Sequence, residues 1–182
     1  MKKIIVISGI GIAFVAAGII GFRFYTKSFS PQGVSEFEEA DRKLRITYSR
    51  PFKRERKIFG ELVPYNKVWR TGANEATSFE TNIDLKIEGK LLPAGTYSIF
   101  TVPGEESWQV IFNKEVGQWG IDVFSGEANR DDSMDVLTIE VQPIQTQHVF
   151  EQFTIDFEHV AHEIEMVLIW DQTLVVVPIK PA

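Results

Sequence analysis

Apolar and polar residues alternate along most of the chain with a period of two. Leu44, Ile46 and Tyr48 are separated by Arg45 and Thr47, and Phe79, Thr81, Ile83, Leu85 and Ile87 are interleaved with Glu80, Asn82, Asp84 and Lys86. The alternation recurs in Trp108-Val110-Phe112, Leu137-Ile139-Val141, Phe153-Ile155-Phe157 and Ile164-Met166-Leu168-Trp170. Successive side chains of a strand point to opposite faces, so this period predicts strands with one buried and one wetted face. Antiparallel sheets have that requirement. Turn residues fall between the runs, at Glu88-Gly89, Pro93-Ala94-Gly95, Pro103-Gly104 and Gly126. The pattern predicts an all-β domain, either an antiparallel β-sandwich or a flattened barrel of about eight to ten strands.

One segment departs from this period. Ile4 to Phe22 carries no charge and is flanked by Lys2, Lys3, Arg23 and Lys27. At about 1.5 Å per residue such a helix nearly matches a ~30 Å hydrocarbon core, which predicts one N-terminal transmembrane helix. Phe22, Phe24 and Tyr25 sit where interfacial aromatics are expected. A cleaved signal peptide is the competing reading, because Val15-Ala16-Ala17 offers small residues at cleavage offsets, although the apolar run continues past them to Phe22. Both readings put the rest of the chain outside the cytoplasm. The expected location is the cell membrane, single-pass, with the domain facing the periplasm or exterior. The chain then divides into residues 1–25 as anchor or signal, 26–42 as a tether and 43–182 as the β-domain.

Composition narrows the chemistry. The chain has 182 residues, 44% of them apolar, which suits a packed domain rather than a disordered one. It contains no cysteine, so disulfides, thiolate metal sites and a cysteine nucleophile are excluded. A net charge of −6 argues against a nucleic-acid partner. That charge is segregated. Arg42 to Arg70 holds ten basic residues and two acidic ones, whereas Thr71 onward holds five basic and nineteen acidic. The basic segment either lines an anion site or touches anionic headgroups, or it is neutralised by acidic strands beside it.

One segment has the residue types of a site: Val68-Trp-Arg-Thr-Gly-Ala-Asn-Glu-Ala-Thr77. Small residues allow a tight backbone path around Arg70, Asn74 and Glu75. Arginine offers a planar fork to a carboxylate or phosphate, asparagine both donor and acceptor, and glutamate an acceptor or general base. The same residues also suit a structural network, with Asn74 capping the turn and Glu75 paired with Arg70 or Arg50. Trp108 and Trp170 follow the apolar alternation and belong to the core, while Trp119, between Gly117 and Gly120, is the candidate for an exposed stacking platform.

A resemblance covers nearly all of the β-domain, from about Leu44 to Ile179. Tyr48-Ser-Arg-Pro51, Arg56-Lys-Ile-Phe-Gly60, Leu62-Val-Pro-Tyr65 and Lys67-Val-Trp-Arg-Thr-Gly-Ala-Asn-Glu-Ala-Thr77 resemble the domain-of-unknown-function family numbered twenty-nine eleven. Leu92-Pro-Ala-Gly-Thr-Tyr-Ser98, Pro103-Gly-Glu105, Trp108, Ile111-Phe-Asn-Lys114 and Trp119-Gly120 add to it. The resemblance implies a secreted or envelope bacterial β-sandwich with no established activity. Glu55 stands where relatives commonly have glycine.

Catalytic and metal patterns are weak. The chain lacks Gly-x-Ser-x-Gly, Ser-x-x-Lys, His-Glu-x-x-His and P-loop motifs. His159 and His162 sit between strands and suit solvated turns better than zinc. Glu127 to Asp132 resembles the start of a calcium loop without its glycine or distal glutamate. No metal and no cofactor are expected. The expected function is a membrane-anchored module binding a small anionic or glycan ligand through Arg50, Arg70, Asn74 and Glu75, with Lys114 beside them. The alternatives are an envelope hydrolase using Glu75 as acid or base with a second carboxylate, and a structural partner protein of the envelope.

Overall fold

A computed structural model of the protein describes residues 2–160 and 163–182; the side chains of 2–10, 12 and 13 lie outside that description, as does His162. The order of elements is a helix α1 (Lys2–Phe29) followed by ten strands. These are β1 (Gln32–Glu39), β2 (Arg42–Ser49), β3 (Thr77–Thr81), β4 (Leu85–Ile87), β5 (Lys90–Leu92), β6 (Gly95–Val102), β7 (Trp108–Asn113), β8 (Asp135–Val141), β9 (Ile144–Val160) and β10 (Glu163–Pro181). They form two antiparallel sheets, one in the order β1-β2-β3-β6-β7-β8 and the other β5-β4-β10-β9.

Side chains from both sheets meet in one core. Leu44, Ile46, Phe79, Ile99, Val110, Phe112 and Ile139 come from the first sheet, and Leu85, Ile87, Leu92, Phe153, Ile155, Met166, Leu168, Val175 and Val177 from the second. Each lies on the apolar phase of its strand, and that burial is the main favourable contribution to folding. Trp108 and Trp170 are buried in it, as the alternation predicts. Phe59, Trp69, Phe153 and Trp170 pack edge-on or stacked, the two indoles with centroids 6.0 Å apart and 18° between planes.

The barrel alternative fails, because the sheets remain separate hydrogen-bonded units. Side chains tie their neighbouring edges instead. Ser35 of β1 donates to Asp156 of β9 and accepts from Phe157 N, and the Lys90 ammonium of β5 donates to Thr138 O of β8 at 2.8 Å.

Two segments differ from the sequence reading. The run Phe79–Ile87, which reads as one strand, is two strands in different sheets. Thr81 breaks it: its hydroxyl donates to Ile83 O at 2.7 Å and accepts from Ile83 N at 3.2 Å, turning the chain from β3 into β4. The turn returns the side chains to phase, so Leu85 and Ile87 are buried like Phe79. The expected tether, residues 26–42, is not a linker. α1 continues to Phe29, and Gln32–Glu39 pairs along its whole length with β2 as an edge strand. Its acidic side chains pair with the basic ones opposite: Glu36 with Arg45 at 2.6 Å, Glu38 with Lys43 at 2.7 Å, and Glu39 with Arg42.

The uncharged run Ile4–Phe22 lies on α1, although much of it falls on residues whose side chains are outside the description. Among the described residues no helix is long and apolar enough to cross a membrane.

Candidate functional site

Two long connections leave the sheets, residues 50–76 between β2 and β3 and residues 114–131 after β7. Loops of that length inside a compact domain are commonly functional. Together with the end of α1 they enclose a cavity of about 1150 Å³.

Residues 66–76 owe their path to β6. Asn66 N donates to Pro103 O, and Trp69 exchanges both backbone hydrogen bonds with Thr101 at 2.7 and 2.9 Å. β3 pairs with the other half of β6 from Thr77 onward. Residues 70–76 are therefore an excursion between two segments that lie against the same strand. Three threonines pin it. Thr71 donates to Thr101 Oγ1 at 3.1 Å, and Thr77 donates to Thr71 O at 2.5 Å. Trp69 Nε1 donates to Gly72 O at 3.1 Å. The backbone is strained there, with Thr71 at φ +56° and Asn74 at +59°. A β-branched residue in the left-handed region is a rare and costly conformation that persists only where its surroundings enforce it. Gly72 has φ +146° and lies so close to Ser49 O that no larger side chain fits.

This excursion presents Arg70 to the cavity. Its Nε is buried and has no hydrogen-bond partner, and among the described residues the guanidinium makes no ion pair. Burial pulls its pKa below the ordinary arginine value, with no neighbouring charge or hydrogen bond opposing the shift. Arginine nonetheless stays protonated in proteins. A buried donor without a partner is costly, and an anionic oxygen is a partner that offsets the cost. Gly120 keeps the place open, because a Cβ there collides with the Arg70 side chain and comes within 3.0 Å of Asn74 O. Gly120 N donates to that same Asn74 O at 2.9 Å, joining the two loops.

Arg70 shares the cavity with further cations. Arg54, Arg56, Lys67 and Arg130 also line the cavity, against one carboxylate, Glu127. Arg130 is neutralised by Asp135. Arg56 donates to the Lys53 and Phe52 carbonyls, and Arg54 lies 4.9 Å from the Phe29 ring centroid. No carboxylate pairs with Arg54, Arg56 or Lys67 among the described residues. The half-buried Trp69 adds apolar surface to the lining, with the buried Trp170 stacked behind it. A basic, partly aromatic cavity suits an anion with some apolar body.

The expected site residues separate into two groups. Arg70 and Asn74 line the cavity; Arg50, Glu75 and Lys114 do not. Arg50 is a clamp between the sheets, its Nη2 donating to Thr154 Oγ1 at 3.0 Å and its Nε to Phe153 O at 3.4 Å, with Gly33 packed on its stem. Lys114 is exposed, and its backbone N–H donates to Met134 O. Glu75 pairs with neither Arg70 nor Arg50 but with Lys27 of α1, at 2.9 Å. Partial burial alone raises the Glu75 carboxyl; hydrogen bonds from Lys27 and from its own backbone N–H, with the charges of Lys27 and Arg23, outweigh it and hold the pKa below the ordinary 4.5. Asn74 is buried, and its amide approaches Ser30 O at 3.5 Å. Trp119 is half-buried rather than a bare platform, with the Arg23 guanidinium 5.2 Å from its ring centroid.

The acidic loop follows the same logic. Asp131 accepts hydrogen bonds from Ser133 N and Oγ and so caps a short turn, Asp132–Met134. No group of three or more potential metal ligands is found among the described residues. The sequence reading offers the basic segment holding Arg54, Arg56 and Lys67 as an anion-site lining among other fates without singling them out, and it does not include Arg130. Each sits in an aperiodic loop, and the available signal was the cluster of positive charge itself together with Gly120.

A search of curated proteins and a search of solved structures each return no match. A family model, described as a protein of unknown function (DUF2911), matches residues 30–179. That span takes in both sheets and both cavity loops, and the chain belongs to this family.

Proposed function

We propose that the protein is a membrane-anchored, extracytoplasmic binding module that takes a small anionic ligand into the cavity around Arg70, its two sheets packed as a β-sandwich. The observation that carries the reading is the Arg70 guanidinium, held by a strained loop with its buried Nε unpartnered, sharing the cavity with Arg54, Arg56 and Lys67, which pair with no carboxylate among the described residues. Buried polar atoms in native proteins nearly always have a partner, and a bound anion would supply the one that Arg70 Nε lacks. The anchor is supported by the uncharged run Ile4–Phe22 and by Phe14, Val15, Ile19 and Ile20, which stand exposed on α1 instead of packing against the sheets. Apolar side chains left bare on a helix need a nonaqueous surrounding. Binding is better supported than hydrolysis, because two-carboxylate chemistry needs a second acid and, among the described residues, Glu127 is the one carboxylate in the lining.

The test is thermal unfolding of the full chain in detergent with a panel of phosphate, sulfate, carboxylate and sugar-phosphate salts at constant ionic strength. A ligand at a hundredfold excess over Kd stabilises the native state by about 2.7 kcal/mol. At least one anion class raises the Tm of the wild type and not of Arg70→Met. A wild type indifferent to every class, or an Arg70→Met variant with an equal response, removes the proposal.

A further inference from the structure

The loop that borders the cavity ends in an exposed apolar tip. Val123 and Phe124 are 81% and 100% exposed, the latter the largest value among the exposed large hydrophobic residues. The tip is an ordered turn. Asp122 accepts from Phe124 N at 3.0 Å and from Ser125 N at 2.7 Å, and Gly126 N donates to Asp122 O at 2.9 Å. Hydrogen bonds are thus made while two apolar side chains are pushed into solvent, which exposes hydrocarbon at a cost the isolated domain does not recover.

The position of the tip indicates what covers it. Residues just after it and the last turn of α1 border the same cavity. α1 exposes Phe22, Phe24 and Tyr25 immediately before that turn, and its Arg23 and Lys27 reach Trp119 and Glu75. Ser125 and Gly126, Thr26 and Phe29, and the cations Arg54, Arg56 and Lys67 therefore line one cavity, with the apolar tip and the aromatic helix end adjacent to it along the chain. Insertable apolar side chains beside exposed basic ones are how proteins engage an anionic bilayer. Single exposed apolar residues are ordinary on any surface, but this pair is presented by a built turn next to a basic opening.

We propose that the cavity opens onto an anionic phospholipid surface: Val123 and Phe124 enter the boundary between headgroups and acyl chains, and Arg70 with Arg54, Arg56 and Lys67 takes the phosphate of a lipid headgroup. The inference rests on the anion-binding reading of the cavity and names the source of the anion. A lipid supplies the phosphate together with an apolar body for the partly exposed Trp69.

The absence of cysteine makes the test clean, because Val123→Cys carries a single environment-sensitive fluorophore. The labelled full chain is placed in nanodiscs of phosphatidylcholine alone or with phosphatidylglycerol. The expected result is a blue-shifted emission, quenched by lipids spin-labelled near the headgroup, strongest with phosphatidylglycerol and losing that preference in a Val123→Cys/Arg70→Met double variant. A label at Leu91→Cys on β5, outside the cavity, gives the solvent baseline. Emission at position 123 equal to that baseline, with quenching by aqueous iodide only, overturns the proposal, and so does a chain that fails to co-elute with the discs. If inorganic phosphate still raises the Tm of the wild type while the label stays in water, the anion site stands and its lipid source falls. If neither responds, both fall.

Discussion

The basic stretch from Arg42 to Arg70 has two ends with opposite fates. At one end, Arg42, Lys43 and Arg45 stand on β2 opposite Glu39, Glu38 and Glu36 of β1, and each finds its carboxylate across the ladder. At the other end, Arg54, Arg56, Lys67 and Arg70 lie on an irregular loop and line one cavity, and none of the four pairs with a carboxylate among the described residues. Charge in the first region secures an edge strand too polar to be held by burial. Charge in the second is left uncompensated. Like-charged residues close together in sequence thus divide into a paired set on β2 and a set lining the cavity, while Lys53 and Lys57 of the same loop pair with Asp171 and Glu61.

The aromatic lining of the second region gives the largest expected effect. Trp170→Ala removes a buried indole that contacts Trp69, Phe59 and Phe153 and should cost about 3–5 kcal/mol in denaturant unfolding. It should also abolish the anion response, since it unseats the Trp69 that precedes Arg70.

Arg70→Met separates the two regions by sign. Deleting an unsatisfied buried donor and its charge should raise the stability of the ligand-free protein by about 1–3 kcal/mol while removing the anion response. A loss of stability would mean that the guanidinium has a structural partner in the native state.

The ladder is expected to matter less. Glu36→Gln removes one exposed pair and should cost about 0.2–1 kcal/mol, with the difference shrinking as salt is raised and the anion response unchanged. An effect as large as that of Trp170→Ala would show that the edge strand depends on its charges far more than exposed pairs normally allow.

The smallest effect is a pH dependence at the joint between α1 and the cavity loop. The Glu75 carboxyl is depressed in the folded protein, so its contribution is complete above its ordinary value of 4.5 and is lost as pH falls through the lower folded value. The Tm of the wild type should exceed that of Glu75→Gln at neutral pH and converge with it below that range. Curves that remain parallel down to acid unfolding would break the assignment of Lys27 as the partner.

Much of the β-structure was legible because burial enforces a period of two. β2, β7 and β8 lie where their apolar phase predicts, and Trp108 and Trp170 are in the core. Phe79–Ile87 misled because a strand that turns a corner through Thr81 keeps its phase, so periodicity cannot distinguish one strand from two. β1 was invisible for a different reason: its exposed face is acidic, and the partner that makes it a strand is the basic run on β2. At the site, the small residues and Arg70 were readable as a tight loop bearing a guanidinium. The direction of the side chains was not. Arg50 turns to β9, Glu75 turns to α1, and the cations completing the cavity come from loops whose paths are set by long-range hydrogen bonds.

The central claim is that Arg70 is an uncompensated cation awaiting an anion. Calorimetric titration of the full chain with glycerol phosphate, in wild type, Arg70→Met and Glu36→Gln, tests it most directly. The account predicts saturable binding in the wild type and Glu36→Gln, weakening as ionic strength rises, and none in Arg70→Met. Binding that survives in Arg70→Met, or that is absent from the wild type, contradicts it.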